Sequence, residues 1–147
     1  MTKLDASLQI AAFAGLDLLS SAVVLLDDKY LIRHLNPAAE NLFAVSQRTW
    51  LGRSLAQLLG TSKVLTAALE SAVRNNWSYT GHNIVVARGD QPALHLDCTV
   101  TPVESEEASL LLEFRPIDQQ LKAAREEREA VQQQANRELV RNLAHEM

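Results

Sequence analysis

The chain has 147 residues, of which 47% are hydrophobic and 22% charged, and its formal net charge is −4 at pH 7. This composition is typical of a soluble globular domain with an appendage, and the absence of a basic cluster argues against a nucleic-acid binder. Cys98 is the single cysteine, which excludes an internal disulfide, and no apolar run reaches the roughly 18 residues needed to span a bilayer. With no signal-peptide pattern at the N-terminus, we expect a cytoplasmic protein without membrane contact.

The first predicted element is a short amphipathic helix over residues 4–19. Its apolar positions recur at helical spacing: Leu4, Leu8, Ala12, Leu16 and Leu19. The polar face carries Asp5, Gln9 and Asp17 with little positive charge, which disfavours a role at a membrane surface. We therefore expect residues 1–20 to form a flanking helix that caps the domain or packs on a second copy.

A β-hairpin is predicted next. The β-branched run at 22–26 indicates a buried strand, residues 27–29 a turn, and residues 30–35 the returning strand. His34 lies near the end of that strand, and we expect it to be half-exposed. Asn36 and Pro37 then begin a helix through Phe43, because Asn is a favourable cap and Pro suits the first helical position.

Two further helices are predicted in the middle of the chain. Gly52 interrupts the chain, and Ser54 caps a helix to Leu59. Thr61 or Ser62 caps a longer helix to about Asn75, for which the predicted inward residues are Val64, Leu65, Ala68, Leu69 and Val73. The two tryptophans flank this region, and we expect packing in the core or at its edge, with ligand stacking as the alternative: Trp50 and Trp77.

Three strands are predicted after these helices, over residues 78–87, 93–102 and 109–114. The middle one alternates, with one apolar face made of Leu94, Leu96, Cys98 and Val100. Cys98 is therefore expected to be a core thiol. Two strands, several short helices and three strands predict an α+β domain with one antiparallel sheet and helices on one side.

Residues 118–147 contain no Gly or Pro and are dominated by strong helix formers, which predicts one long helix. The apolar spacing suits a coiled-coil seam with a stutter, formed by Leu121, Ala124, Val131, Ala135 and Leu139, with Arg128 in place of an apolar residue. His145 lies away from the seam. Beside Glu146, an exposed imidazole can act as a nucleophile, and a solvated histidine without a role is the alternative.

The order of elements resembles the PAS domain family over roughly residues 16–118. The similar segments are Asn36-Pro37-Ala38-Ala39-Glu40, Leu51-Gly52-Arg53-Ser54-Leu55 and Pro116-Ile117-Asp118. The resemblance implies a PAS fold with a five-stranded antiparallel sheet at 21–116, and a coiled-coil signalling helix at 117–147 that runs into a truncated phosphoacceptor region. It also implies a signalling junction at Ile117 and Asp118.

Residues 139–146 resemble the start of the phosphoacceptor motif of two-component sensor histidine kinases. The resemblance implies that His145 accepts phosphate from ATP and that Glu146 is a candidate base or orienting group. The chain has no nucleotide-binding boxes, so we expect the parent protein to be the kinase and this fragment alone to be inactive, with ATP and Mg²⁺ bound by a separate domain.

The combination of parts resembles the nitrogen-regulation sensor kinases. That resemblance implies a homodimer, an NtrC-like response regulator as phosphate acceptor, and a PII signal-transduction protein as a candidate regulator. The alternative is a PAS module that binds a small ligand, or that dimerises, in another signalling or transcription regulator.

No cofactor or metal is expected in the PAS domain. Haem-binding PAS sensors use a histidine on the long helix, and none occurs in residues 61–75. Flavin-binding domains use a helical Asn-Cys-Arg motif, whereas Cys98 lies on a predicted strand. His82 and His95 lie on neighbouring strands, but no cluster has metal-ligand spacing.

Overall fold

The computed structural model of the protein describes residues 13–117 and 119–146, with side chains at 13–117 and 126–143. The chain divides into two units at the bond between Pro116 and Ile117. A short 3-10 helix, Ala14–Leu18, precedes the strands β1 (Ala22–Leu26) and β2 (Ile32–Leu35). Four helices and three strands follow: α1 (Pro37–Phe43), α2 (Gln47–Trp50), α3 (Leu55–Leu59), α4 (Lys63–Asn75), β3 (Tyr79–Arg88), β4 (Gln91–Pro102) and β5 (Leu110–Pro116). The second unit contains α5 (Gln119–Glu146).

The five strands form one antiparallel sheet in the order β2-β1-β5-β4-β3. Strand β5 therefore lies between β1 and β4 and joins the hairpin of β1 and β2 to the pair formed by β3 and β4. This confirms the predicted α+β fold with one five-stranded antiparallel sheet. Helix α2 was not predicted, and at four residues it is too short to give a periodic signal.

The core lies between the helices and one face of the sheet. The alternation predicted for β4 is confirmed, because Leu96, Cys98 and Val100 are buried and Leu94 packs against the core. The rings of Phe43 in α1 and Phe114 in β5 meet at 90° with centroids 5.2 Å apart. Perpendicular aromatic packing of this kind ties the helical layer to the sheet.

The inward face of α4 differs from the prediction. Its buried residues are Leu65, Ala68, Leu69 and Ala72, whereas Val64 and Val73 are exposed. Helix α4 and strand β3 approach each other closely at Gly81, where an added Cβ would lie 3.1 Å from Cγ1 of Val64. Two of the four buried positions, Ala68 and Ala72, carry small side chains.

Asn36 makes four hydrogen bonds from a fully buried position. Its Oδ1 accepts from the backbone N–H groups of Val23 and Ala39, each at 2.9 Å. Its Nδ2 donates to the carbonyl oxygens of Leu16 at 2.9 Å and Ser21 at 2.8 Å. The predicted helix cap is thus confirmed, and the same side chain also fixes β1 and the segment before it.

The N-terminal segment differs in part from the predicted helix over 4–19. Residues 14–18 form a 3-10 helix, and Leu19 is extended. Residues 1–12 lie outside the described part of the chain. The 3-10 helix has no buried residue, and its Leu18 and the following Leu19 are both exposed.

Helix α5 is uninterrupted over Gln119–Glu146, as predicted. Its side chains from 126 to 143 are all exposed. These include Val131 and Leu139, each 62% exposed. No helix among the described residues is both long and apolar enough to cross a membrane.

Substitution of Asn36 tests its structural role. Asn36→Ala removes the acceptor of the Val23 and Ala39 N–H groups and the donor to the Ser21 carbonyl, so we expect a loss of about 3 kcal/mol or more in the free energy of unfolding. The measurement is urea unfolding followed by circular dichroism. Asn41→Ala, at an exposed position of the same helix, should change the free energy by less than about 0.5 kcal/mol. A loss below about 1 kcal/mol for Asn36→Ala would contradict the assigned role.

Candidate functional site

The candidate phosphoacceptor lies in the last turn of α5. Residues 145 and 146 are helical, and the side chains of His145 and Glu146 lie outside those that the structure describes. Asp118 also lies outside the described residues, while Ile117 is partly exposed. The roles of these residues therefore stay predictions.

The predicted coiled-coil seam lies along α5. Arg128, Val131, Ala135 and Leu139 are exposed, and the side chains of Leu121 and Ala124 lie outside the described set. Leu143 continues the apolar row and is also exposed. An apolar row on an otherwise polar helix leaves a surface suited to pairing with another helix.

The Cys98 thiol is not a reactive group at neutral pH. Its side chain is fully buried in the core, as predicted, and burial raises the pKa of the Cys98 thiol to about 12. Nucleophilic reactions of cysteine require the thiolate. At neutral pH the thiol therefore stays protonated, and its contribution is to packing.

His34 is buried, contrary to the expected half-exposed position. Only 8% of the residue is exposed. Its Nε2 lies 2.9 Å from Oδ1 of Asp17, and its ring lies 5.3 Å from that of Phe13. The prediction was wrong because the covering residues come from the 3-10 helix and the residue before it, well separated from β2 in sequence.

His82 and His95 do not meet, although their strands pair. His82 Nδ1 lies 3.4 Å from Asp97 Oδ1, and His95 Nδ1 lies 3.4 Å from Asn83 Oδ1. His82 lies in the bulge between Gly81 and Ile84, whereas His95 pairs with Val85 in the regular part of the ladder. Within the described residues, no group of three His, Cys, Asp or Glu side chains could hold a metal.

The tryptophans differ in environment. Trp50 is partly buried against the core, and the Arg53 guanidinium lies 5.1 Å from its ring centroid, a cation–π contact. Trp77 is 72% exposed, so the expectation that it packs in the core or at its edge was wrong. It follows Asn76, which ends α4 in the left-handed conformation.

The turn between β1 and β2 is organised by Asp27. Its Oδ1 accepts from the N–H groups of Lys29 at 2.9 Å and Leu31 at 3.0 Å, and its Oδ2 lies 3.2 Å from Nε of Arg33. Burial pushes the pKa of the Asp27 carboxyl upward, but these hydrogen bonds and the Arg33 charge outweigh it and leave the pKa lowered. The turn thereby fixes the start of β2.

A cleft of about 330 Å³ lies beside β2. Its polar lining includes Arg33, His34 and Gln47, with Asp17 from the 3-10 helix. Sequence reasoning missed this cleft. Its residues come from four separate segments, and no local pattern links them.

The model of the PAS fold family matches residues 13–117. This is most of the chain, and the described sheet and helices agree with it. The chain therefore belongs to the PAS domain family, as its sequence indicated.

Among known proteins, the chain is similar to the sensory histidine kinase/phosphatase NtrB. The protein from Vibrio alginolyticus is 38% identical over 128 residues, which cover 86% of this chain and 36% of that protein. The protein from Klebsiella oxytoca is 32% identical over 133 residues, which cover 90% and 37%. The chain thus spans little more than a third of the length of these relatives.

A solved structure agrees with this similarity. The PAS domain of nitrogen regulation protein NR(II) from Vibrio parahaemolyticus has a TM-score of 0.63 and 33% sequence identity to this chain. The match covers 72% of this chain and 97% of that domain. The similarity therefore extends over essentially the whole of that PAS domain.

The lowered pKa of Asp27 predicts a pH-dependent contribution to stability. A depressed carboxylate pKa stabilises the fold above the unfolded-state value, here 3.8, and this contribution is lost as the pH falls through the folded-state pKa. Asp27→Asn should therefore destabilise at pH 7 and differ progressively less from the wild type below pH 3.8. The measurement is the free energy of unfolding of both proteins from pH 7 to below pH 3.8.

The control is Asp28→Asn, at an exposed position next to Asp27 in the same turn, which should change the free energy of unfolding at pH 7 by less than about 0.5 kcal/mol. If Asp27→Asn keeps the same deficit at acidic and neutral pH, the carboxylate charge is not the stabilising feature.

Proposed function

We propose that this chain is the sensor and dimerisation portion of an NtrB-like two-component histidine kinase. Residues 1–20 are the flanking segment, 21–116 the PAS domain and 117–147 the signalling helix. His145 accepts the phosphoryl group from ATP, and an NtrC-like response regulator receives it from His145. The protein acts in the cytoplasm, and ATP and Mg²⁺ are bound by a separate kinase domain of the parent protein.

The observation that carries this proposal is the length of the similarity to NtrB proteins. The matches of 128 to 133 residues are longer than the segment 13–117, so they extend beyond the PAS domain into flanking sequence. If the similarity reflected the common PAS fold alone, the matches would not need to extend beyond the PAS domain. The phosphoacceptor-like residues 139–146 lie in the flanking helix.

The long helix supports dimerisation. Val131, Leu139 and Leu143 are all more than half exposed on α5. Leaving such side chains in water forgoes about 25 cal/mol for each Å² of apolar surface that a second helix would cover. Pairing of two copies along this row accounts for the pattern and brings two phosphoacceptor helices together.

Signal transfer follows from the paired helices. A change in the PAS domain acts at Ile117 and Asp118 and alters the register of the seam. Arg128 interrupts the apolar row, which brings two registers close in free energy, as a two-state element requires. A PII signal-transduction protein is the proposed source of the signal.

Phosphotransfer tests the assignment of His145. The chain is joined at Met147 to the remainder of the Vibrio alginolyticus NtrB protein and supplied with labelled ATP. We expect acid-labile, base-stable label, because phosphohistidine carries it. His145→Ala should abolish the label, while the matched variant His95→Ala, on a strand of the PAS domain, should retain it. Label that persists in His145→Ala would refute the assignment.

Substitution of Arg128 tests the seam. Arg128→Leu replaces a charge with an apolar side chain, so we expect tighter dimerisation by about 1 kcal/mol or more per protomer. Sedimentation equilibrium measures this on the present chain. Arg137→Leu, away from the seam on the same helix, is the control. Equal effects of the two variants, or none, would contradict a seam at Arg128.

A further inference from the structure

Most charged residues between positions 122 and 141 of α5 have an oppositely charged residue one helical turn away. Residues three or four positions apart on a helix are neighbours, so opposite charges at that spacing attract within one chain. Three pairs have this spacing: Lys122 with Glu126, Arg125 with Glu129, and Glu138 with Arg141. The exceptions are Glu127, Arg128 and Arg137.

Glu127 and Arg128 have no partner of opposite charge at that spacing. The residues three and four positions from Glu127 are alanine or valine, and those from Arg128 are alanine, arginine, valine and glutamine. Consecutive residues of a helix do not face each other, so the two are poorly placed to pair within one chain. The helix by itself therefore provides no ion-pair partner for either charge.

Both residues lie on the strip of α5 that carries the seam. Arg128, Val131 and Ala135 follow the three-four spacing of a coiled coil, and Glu127 and Gln132 flank them. These five residues are exposed and line one shallow concave strip of the helix, from which Arg137 is absent. A helix packed on this strip therefore meets the charges of Glu127 and Arg128.

A parallel, in-register copy of the helix brings these two charges together. In a coiled coil, each seam residue packs into a hole formed by four residues of the facing helix. For Arg128 in a parallel pair, that hole includes the partner's Arg128 and the residue just before it, the partner's Glu127. Twofold symmetry then gives two interchain ion pairs between arginine and glutamate, one on each side of the seam.

An antiparallel copy does not provide this contact. With Arg128 opposite the partner's Val131, Glu127 lies beside the partner's Gln134, so neither charge gains a partner. With the helices shifted by one heptad, Glu127 faces the partner's Glu127, and the two carboxylates repel each other. Charge complementarity therefore favours the parallel, in-register arrangement.

We propose that Glu127 and Arg128 select the partner of α5, which is a second copy of this chain, parallel and in register, held by two interchain ion pairs. This inference rests on the dimer of the proposed function. Arg128 lowers affinity relative to an apolar residue but fixes orientation and register, as single polar residues in coiled-coil seams do. The change of register proposed for signal transfer breaks both ion pairs.

Charge reversals in the full chain test the interchain pairs. Glu127→Arg leaves two positive charges on the strip, and Arg128→Glu leaves two negative charges. The dissociation constant of each homodimer should rise about tenfold, because the attractive pairs become repulsive. An equal mixture of the two variants should favour the heterodimer by about tenfold or more, since every contact between them is attractive. Sedimentation equilibrium measures the dissociation constants, and native mass spectrometry measures the heterodimer fraction.

Glu126→Arg and Arg137→Glu are the matched controls. They make the same changes of charge on α5 at positions outside the concave strip. Each should keep the dissociation constant within about twofold of the wild type, and their mixture should form heterodimers in the statistical proportion. Circular dichroism verifies that every variant keeps its helix content.

Disulfide formation tests the orientation of the two helices. Val131→Cys places a thiol where it meets its own copy only in the parallel, in-register arrangement, so mild oxidation should join two chains. Val140→Cys, at a similarly exposed position outside the seam, should be joined about tenfold more slowly. The natural Cys98 does not interfere, because its thiol is buried in the core.

Two results would overturn this inference while the dimer itself stands. One is a mixture of Glu127→Arg and Arg128→Glu that forms heterodimers only in the statistical proportion. The other is a Val131→Cys chain that is joined no faster than Val140→Cys. A wild-type chain that stays monomeric would instead contradict both the proposed dimer and this inference. Phosphotransfer to His145 is measured separately and does not depend on these results.

Discussion

The buried amide of Asn36 is the interaction on which the rest of the PAS unit depends. It uses two donors and two acceptor positions, and its partners come from the N-terminal segment, β1 and α1. An aliphatic side chain would leave the Val23 and Ala39 N–H groups without this acceptor, and a carboxylate could not donate to the Leu16 and Ser21 carbonyls. Since β1 lies between β2 and β5, fixing β1 also fixes the strands on both of its sides.

The same arrangement holds the region beside the cleft. The outer edge of β2 pairs with the segment after α2, because the Ile32 N–H donates to Arg53 at 2.8 Å and the Gly52 N–H donates to Ile32 at 2.8 Å. Arg33 and His34 thus follow a residue, Ile32, whose backbone is held from the side of β2 opposite β1. The proposed phosphoacceptor stands in the other unit, on α5.

Local chemistry made much of the fold predictable. The Asn36-Pro37 helix start and the alternation through Leu96, Cys98 and Val100 depend on neighbouring residues, and both are confirmed. The burial of His34 depends on Asp17 and Phe13, and the bulge at Arg33 depends on the pairing with β1. The inward face of α4 depends on how closely the helix approaches Gly81. Such long-range contacts leave no periodic signal, so His34, Val73 and the cleft could not be predicted.

Native-state amide hydrogen exchange tests most directly whether Asn36 joins these segments into one cooperative unit. The Val23 and Ala39 N–H groups both donate to its Oδ1. The account predicts that they exchange only by global unfolding, with the same opening free energy as amides in the centre of β5, such as that of Leu112. Exchange of Val23 and Ala39 through a local opening, at a free energy well below that of Leu112, would contradict it.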